Sequence, residues 1–355
     1  MERWKLLSYL IPLSVLLISG LTCSTSATKR NITTTPNKEQ VKTFSPKTIR
    51  LTVDYEGDLK KDLEDPYLEV SGFLAILPKI YRVAEKMLEE TGFIQVVGPG
   101  TFGTCDARLD IKTQGNALIP MGYLGQVRVI GHSLPSGAII KGKISFTGRG
   151  REHTTKFGGP EFWPSHGSSN HAPFLEAWCY VSFDFIISLA DNFFESVIPS
   201  LWGTEKMKPL IASLEHPFWY FRLRAVKSLR KIKDPGAVEP LIKILKGDVD
   251  ENRSHLFLVG TGLYDSVPDP KLLKLLHPVL EPKETEVRKE AAITLGELKY
   301  PRAIEPLIAA LNDKDEGLRN EARKALKKIT REDLGNDPIQ WQGWWEKNKS
   351  KYQGP

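Results

Sequence analysis

The sequence predicts a two-part protein, with an α+β domain at residues 47–203 followed by an all-α stack of helical repeats. The first part mixes short segments of alternating apolar and polar residues, typical of strands, with longer segments of helical period. From about Lys206 only the helical period remains, and the pattern "PLIxxL" recurs at Pro209, Pro240 and Pro306. A chain of 355 residues is also too long for one ordinary core, so two folded parts are expected.

The composition is that of a globular protein with mixed charges. Hydrophobic residues make up 41% of the chain and charged residues 26%, which argues against disorder throughout. The 49 basic and 43 acidic residues give a net charge of only +6. A dedicated nucleic-acid binder carries a dense basic patch, so we predict no nucleic-acid partner.

Residues 1–23 have the pattern of a signal peptide. A short positive start, "MERWK", precedes the uncharged apolar run "LLSYLIPLSVLLISGL", which is short for a membrane span. Cleavage after the small residues ending at Ala27 is one possibility, and an uncleaved N-terminal anchor is another. Cys23 instead resembles the lipidated cysteine of bacterial lipoproteins. The match departs from that motif at Gly20 and Thr22, where the family has Leu and a small residue.

Residues 24–46 are polar and rich in Ser, Thr, Pro and Asn, a composition typical of a flexible tether. A tether behind a lipidated Cys23 would hold the protein on a membrane. We therefore expect an exported protein of the bacterial cell envelope, either in the periplasm or anchored to the membrane through a lipid on Cys23.

The α+β domain is predicted to contain one mostly antiparallel sheet with two helices on one face. Five segments are predicted to be strands: "TIRLTVDY", "FIQVVG", "CDARLDIKTQ", "QVRVIGH" and "AIIKGKISF". A helical segment between the first two ends at Gly92, a typical C-cap, and a long apolar helix that ends near Trp202 closes the domain.

The helical repeats are identified by a second signature, apolar-Arg-x-x-Ala-x-x-x-Leu-x-x-apolar. It occurs with its arginine at Arg222, Arg288 and Arg319, and the first of these two intervals is about twice the second. The longer interval predicts a weaker copy beginning at Arg253, so residues 206–330 should contain about four helix pairs.

These two signatures resemble HEAT repeats, in particular the short kind named after phycobilisome lyases. The resemblance implies a solenoid of stacked helix pairs that serves as a protein–protein interaction scaffold. It also implies that the repeated arginines pair with acids in adjacent loops, in preference to reading phosphates. The helix beyond Asp337, with Trp341, Trp344 and Trp345 on one face, is then predicted to cap the last repeat within residues 331–355.

An enzymatic reading is the alternative, because some HEAT-like relatives are lyases or hydroxylases. The hydroxylase of this superfamily binds its metal through His-Glu dipeptides, and this chain has none. No other catalytic motif is present, so we expect no cofactor, no metal and no catalysis. An enzyme or accessory role would have to use the loops of residues 98–170.

In HEAT-like stacks the second helix of each pair lines the concave side, and this implies where a partner binds. The candidate binding residues on those helices are Arg224, Lys227, His255, Leu258, Lys324 and Lys327. The run "HLFLVGTGLY" around Leu258 is nearly uncharged, so something is expected to cover it. The candidates are the chain's own first domain, or a partner protein with an apolar segment and acidic flanks.

Two further sets of residues are candidate sites in the first domain. Cys105 and Cys179 could form a disulfide in an oxidising envelope, or remain two buried thiols. A Gly/Pro/Ser-rich segment is interpreted as a solvated loop, although a metal site there is conceivable. Its possible ligands are Glu152, His153, Glu161, His166 and His171.

Overall fold

The fold is taken from a computed structural model. It describes residues 45–55, 77–98, 100, 103–117, 138–149, 151–160, 185–247, 257 and 284–352. The predicted signal peptide and Cys23 lie outside these residues, as do the strand predicted at 126–132 and almost all of the predicted tether. Residues Glu39–Pro355 form one compact unit, so the first domain and the helical region can be described together.

The first domain is built on a five-stranded sheet. Its strands are β1 (Lys47–Tyr55), β2 (Ile94–Val97), β3 (Ala107–Ala117), β4 (Ala138–Gly148) and β5 (Arg151–Pro160). Their order is β2-β1-β3-β4-β5, in which β1 runs parallel to both neighbours while β3-β4 and β4-β5 are antiparallel. The predicted α+β class is confirmed, but the sheet is mixed instead of mostly antiparallel. A helix between β1 and β2 returns the chain to the same end of the sheet, and this makes the two strands parallel.

Strand β5 was not predicted, because its residues belong to the segment interpreted as a loop. It forms a hairpin with β4, and Arg149 in the turn has a φ of 47°. Glu152, Thr154 and Lys156 are exposed, whereas His153 and Thr155 are half-buried. The alternation of a strand is present, but none of these side chains is strongly apolar, so the hydrophobic pattern that reveals most strands is absent.

Two helices cover one face of the sheet. Helix α1 (Leu77–Glu89) is followed by Gly92, whose φ of 77° gives the left-handed conformation expected of a helix C-cap. Helix α2 covers residues 185–202 and contains a π-helical segment, Phe193–Val197. The sheet residues buried on this side are Ile49, Leu51, Leu109, Ile111, Ile144 and Phe146.

The helical region contains three pairs of helices among the residues that the structure describes. The first pair is α3 (Met207–Ala212) with α4 (Trp219–Ile232), and the second is α5 (Val238–Lys246) with α6 (Glu284–Leu298). The third pair is α7 (Ile304–Ala310) with α8 (Glu316–Thr330), and α9 (Pro338–Tyr352) follows it.

The second pair is formed by helices that are far apart in the sequence. Helix α6 packs directly against α5 and also against α4, and the Arg288 Nε donates a hydrogen bond of 3.0 Å to the Leu245 carbonyl. Residues 248–283 lie between these two helices in the sequence and, apart from Phe257, outside the described residues. The repeat predicted to begin at Arg253 lies outside the described residues, and the helices on either side of it pair with each other.

Helix α9 packs against the first helix of the third pair. Its Trp341 and Trp345 are buried, and the Trp341 Nε1 donates a hydrogen bond of 2.8 Å to the Gly335 carbonyl. The opposite end of the helical region packs against the first domain. Phe221 of α4 lies 5.7 Å from Phe193 of α2, measured between ring centroids, so one hydrophobic core runs through both parts.

Candidate interaction surface

The second helices of the three pairs, α4, α6 and α8, lie side by side in that order. The approach of α6 to α8 is close at Gly296, where an added Cβ would lie 2.8 Å from the Cβ of Ala325. A glycine is required there because real Cβ atoms do not come this near to one another. Close packing of neighbouring second helices gives one continuous surface, here called the second-helix face.

Ion pairs cross this second-helix face from one helix to the next. Arg230 of α4 lies 2.6 Å from Glu290 of α6 and 4.0 Å from Glu297 of α6. On the other side, Lys328 of α8 lies 3.8 Å from Glu297. The residues that form these pairs are basic on α4, acidic on α6 and basic on α8.

Arg224 takes part in the contact between α4 and the first domain. Its guanidinium lies 2.9 Å from Asp191 and 2.5 Å from Glu195 of α2, and its side chain is 16% exposed. Tyr220, one turn earlier, donates a hydrogen bond of 3.0 Å to Asp191. Burial, followed by the charge of Asp191, raises the pKa of Tyr220 above its ordinary value. This side of α4 is therefore covered by the protein's own first domain.

Three of the predicted binding residues lie on the second-helix face. Lys227 of α4 is half-buried and forms no ion pair with a described residue. Lys324 is 65% exposed and lies 2.7 Å from Glu321, whereas Lys327 is 59% exposed and lies 3.0 Å from Asp333. The two α8 lysines are thus the more accessible cations.

The region around Leu258 is described at one residue only. Phe257 is buried, with its ring centroid 5.5 Å from that of His216 in the loop before α4. The Lys86 Nζ of α1 lies 5.6 Å from the same centroid, in a cation–π arrangement. The first domain therefore contributes to the cover of Phe257. His255 and Leu258 lie outside the described residues.

The repeated arginines are structural, and Arg222 shows this most clearly. Its side chain is fully buried, and Nη1 donates to the carbonyls of His216 and Pro217 while Nη2 pairs with Glu284 at the start of α6. Arg319 repeats the pattern, with Nη1 hydrogen bonds of 2.8 and 3.0 Å to the carbonyls of Asp313 and Lys314. Arginines engaged in this way cannot form a phosphate-reading ladder.

Arg288 connects the second pair to the third. Its Nη2 lies 2.5 Å from the Asp313 Oδ2, in the loop that precedes α8. Burial alone would raise the pKa of Asp313, but hydrogen bonds from the Asp315 N–H and from Arg288 lower it below its ordinary value. The predicted pairing of repeat arginines with loop acids is present here.

A similar charged cluster closes the end of α8. Asp333 accepts hydrogen bonds of 2.8 Å from Arg323 and 3.0 Å from Lys327. These two hydrogen bonds, the one from Arg323 first, hold the pKa of Asp333 well below its ordinary value. The two cations therefore favour the charged form of this carboxylate.

The remaining candidate sites of the first domain are only partly described. Cys105 is a half-buried free thiol before β3, and Cys179 lies outside the described residues, so the disulfide remains a prediction. Glu152 and His153 lie on β5, whereas the other three histidine and glutamate candidates lie outside. Within the described ranges, no group of three His, Cys, Asp or Glu residues is placed to hold a metal ion.

The acidic partners on this surface were not predicted from the sequence. Asp191 and Glu195 belong to a segment predicted only as a closing helix, and Glu290 and Glu297 were identified as outward residues without a contact. Helical spacing shows which residues share a face, but not which residue of a neighbouring helix lies opposite.

No helix of the described ranges has the length and apolar character needed to span a membrane.

Comparison with known families supports the repeat assignment. The family of PBS lyase HEAT-like repeats matches residues 221–247, and the HEAT repeats family matches residues 260–327. The first match covers α4 and α5, and the second covers α6, α7 and most of α8. No curated protein matches the chain. HEAT-like repeats are generally scaffolds for protein–protein interaction.

Proposed function

We propose that this protein, whose C-terminal region is a HEAT-repeat segment, is an interaction scaffold that binds a partner protein on its second-helix face. The observation that carries the proposal is the side-by-side packing of α4, α6 and α8, which gives one charged surface across three repeats. A surface of this extent is what a repeat architecture provides and a single helix pair does not.

The partner we propose presents acidic groups to Lys227, Lys324 and Lys327. The pairs that the two α8 lysines already form with Glu321 and Asp333 are exposed, and such pairs contribute only about 0–1 kcal/mol. A carboxylate of the partner can therefore replace or join them at little cost. The acidic central helix α6 would favour a partner whose charges are acidic at both ends.

An apolar segment in the partner is a further part of this proposal. Its target would be Leu258, since Phe257 is already covered by the chain's own residues. The contact of Lys86 with Phe257 favours the first domain as part of the cover of this region. The apolar contact is thus secondary to the charged one.

We also propose that the scaffold acts in the bacterial cell envelope. The support is the charged start, the uncharged apolar run that follows it and the polar segment behind that run, with Cys23 as the candidate site of lipidation. None of the described residues supports a catalytic reading, and the scaffold reading explains the charged face without one.

The direct test is a comparison of captured proteins. The full-length protein and the triple variant Lys227→Glu, Lys324→Glu, Lys327→Glu are used to capture partners from an envelope extract. We expect at least one protein to be retained by the wild type and lost with the triple variant. A photo-crosslinking residue at position 324 should then attach to that same protein.

A matched control keeps the number of charge reversals constant. Lys208, Lys246 and Lys347 are exposed, lie on other helices and form no ion pair with a described residue. The variant with glutamate at these three positions should retain the partner. Equal capture by wild type and by the second-helix variant would rule out this face as the binding site, as would crosslinking from position 246 instead of 324.

A further inference from the structure

One face of the sheet is covered by no helix of the described residues, and it has an unusual alignment of positive charges. Residues alternate between the two faces of a strand. Leu109 and Ile111 are buried under the helices, so their chain neighbours Arg108, Asp110 and Lys112 lie on the opposite face, here called the open sheet face. Arg108 and Lys112 are exposed. Buried residues on one side and exposed polar residues on the other define this open sheet face.

The strand register places like charges directly opposite each other in two rows. Lys112 of β3 is opposite Lys143 of β4, which is opposite Lys156 of β5. Arg50 of β1 is opposite Arg108 of β3 in the second row. Neighbouring strands are about 4.8 Å apart, so the three lysine positions lie within roughly 10 Å of one another across the sheet.

Like charges in directly opposed positions repel, so this alignment favours a ligand with negative charge. The described acids of this face, Asp54, Asp110 and Glu152, offset part of its positive charge. Asp110 interacts with Arg108 at 3.4 Å and with Thr52 at 2.6 Å, and Asp54 lies opposite Lys112 at one end of the row. Lys112 and Lys156 form no ion pair with any described residue.

The chemistry of the open sheet face indicates what kind of ligand it fits. Among its described side chains none is aromatic, and Val97 at the edge is the only aliphatic one. A protein interface usually has an apolar centre, and single-stranded nucleic acid is usually held by stacking on aromatic rings. Hydroxyl groups are present instead: Thr154 and Ser145 lie beside the lysine row and hydrogen bond to each other at 3.0 Å.

We propose that the open sheet face binds the phosphate headgroups of an anionic lipid bilayer. A broad face with cations spread over three strands can contact several headgroups at once, whereas a free phosphate ion needs donors that converge on one point. The segment predicted to tether the chain leads directly into β1, a strand of this same sheet. The proposal concerns the first domain and does not depend on the scaffold function of the repeats.

Vesicle binding tests this proposal. The full-length protein is mixed with vesicles of phosphatidylcholine, with and without phosphatidylglycerol, and the bound fraction is measured by sedimentation. We expect the apolar N-terminal run to contribute equally to the binding of both vesicle types. The difference in binding between them therefore reports the effect of charge. We expect preference for the anionic vesicles, decreasing as salt is raised from about 0.05 to 0.5 M.

The decisive variant is Lys112→Gln, Lys156→Gln. Each lysine near an anionic surface contributes about a fivefold preference, so the double variant should bind anionic vesicles at least tenfold more weakly. Lys143 is left unchanged because it makes further contacts within the chain. The matched control, Lys208→Gln, Lys347→Gln, removes the same charge from other exposed positions and should bind within about twofold of the wild type.

Several results would overturn the proposal. Equal losses in the double variant and the control would mean that net charge alone, and not this face, determines binding. Saturable binding of inorganic phosphate that displaces the vesicles would indicate a phosphate site. Binding of polyglutamate in preference to anionic vesicles would indicate an acidic protein partner. Circular dichroism melting of each variant verifies the fold, and the double variant should be at least as stable as the wild type because it removes repulsion.

Discussion

The Arg288 Nη2 lies 2.5 Å from the Asp313 Oδ2, and this contact joins the second helix of one pair to the loop that begins the second helix of the next. The same loop supplies the carbonyls that Arg319 binds, and the Asp313 Oδ1 accepts a hydrogen bond of 2.9 Å from the Asp315 N–H. One short loop therefore fixes the stacking of two repeats, and its aspartate is the common element.

Replacement of Asp313 by Asn should weaken this stacking. The Arg288 and Asp313 side chains are 20% and 13% exposed, so their pairing is protected from solvent more than an exposed pair would be. We expect a loss of roughly 1–3 kcal/mol in the free energy of unfolding, measured by urea denaturation. The control is Glu239→Gln, which removes the exposed pair with Arg302 and should change stability by less than about 0.5 kcal/mol.

Acid should destabilise the wild type partly through the same group. The pKa of Asp313 in the folded protein is lowered, as is that of Asp106, where hydrogen bonds from Thr48 and Lys47 outweigh burial. A lowered folded pKa means that the unfolded chain binds protons first as the pH falls. The stabilisation contributed by these two carboxylates is therefore fully present above their unfolded pKa of about 4 and is lost as the pH falls below it. Asp313→Asn should show a shallower loss between about pH 4 and pH 2; an identical slope would exclude Asp313 as a contributor.

The period of the sequence identified the second helices of the repeats that the structure describes. Each second helix buries its Ala and Leu positions, and these recur at fixed spacing, so α4, α6 and α8 were recognisable. Arg253 follows Arg222 at the same interval that separates Arg319 from Arg288, and the repeat that this interval predicts stays a prediction because it lies outside the described residues.

The candidate surface was predicted less completely than the fold. The outward positions were located by helical spacing, but the partners of Arg224 and Arg230 come from helices whose register the sequence does not define. The relative direction of neighbouring strands is also not defined by the sequence. Alternation identifies a strand and its buried face, and it is the same for parallel and antiparallel neighbours.

The buried ion pair of Arg222 and Glu284 should be sensitive to removal of one partner only. Arg222→Met removes the guanidinium from the buried carboxylate of Glu284 and from two loop carbonyls, so we expect a loss of about 3–5 kcal/mol in the free energy of unfolding. The double variant Arg222→Met, Glu284→Gln should recover part of this loss, because no buried charge remains unpaired. Equal stability of the single and double variants would mean that the carboxylate is not the source of the cost.

Two helical glycines provide a matched test of helix packing. A methyl group at position 296 would collide with Ala325, so Gly296→Ala should destabilise the protein by about 1–3 kcal/mol. An added Cβ at Gly343 of α9 has no atom within 4 Å, so Gly343→Ala should gain up to about 1 kcal/mol through helix propensity. Thermal melting of the two variants compares the effects directly, and a tolerated Gly296→Ala would contradict close packing of α6 on α8.

The prediction about membrane attachment concerns Cys23, which lies outside the described residues. If Cys23 is lipidated, labelling with radioactive palmitate in a bacterial host should mark the wild type and not Cys23→Ser. The controls are Cys105→Ser and Cys179→Ser, which leave the N-terminal segment intact and should remain labelled. The Cys23 variant should also move from the membrane to the soluble fraction of the envelope, because an acyl chain buries many methylene groups in the bilayer. Unlabelled wild type in the soluble envelope fraction would exclude the lipid anchor and leave export standing, whereas wild type in the cytoplasm would exclude both.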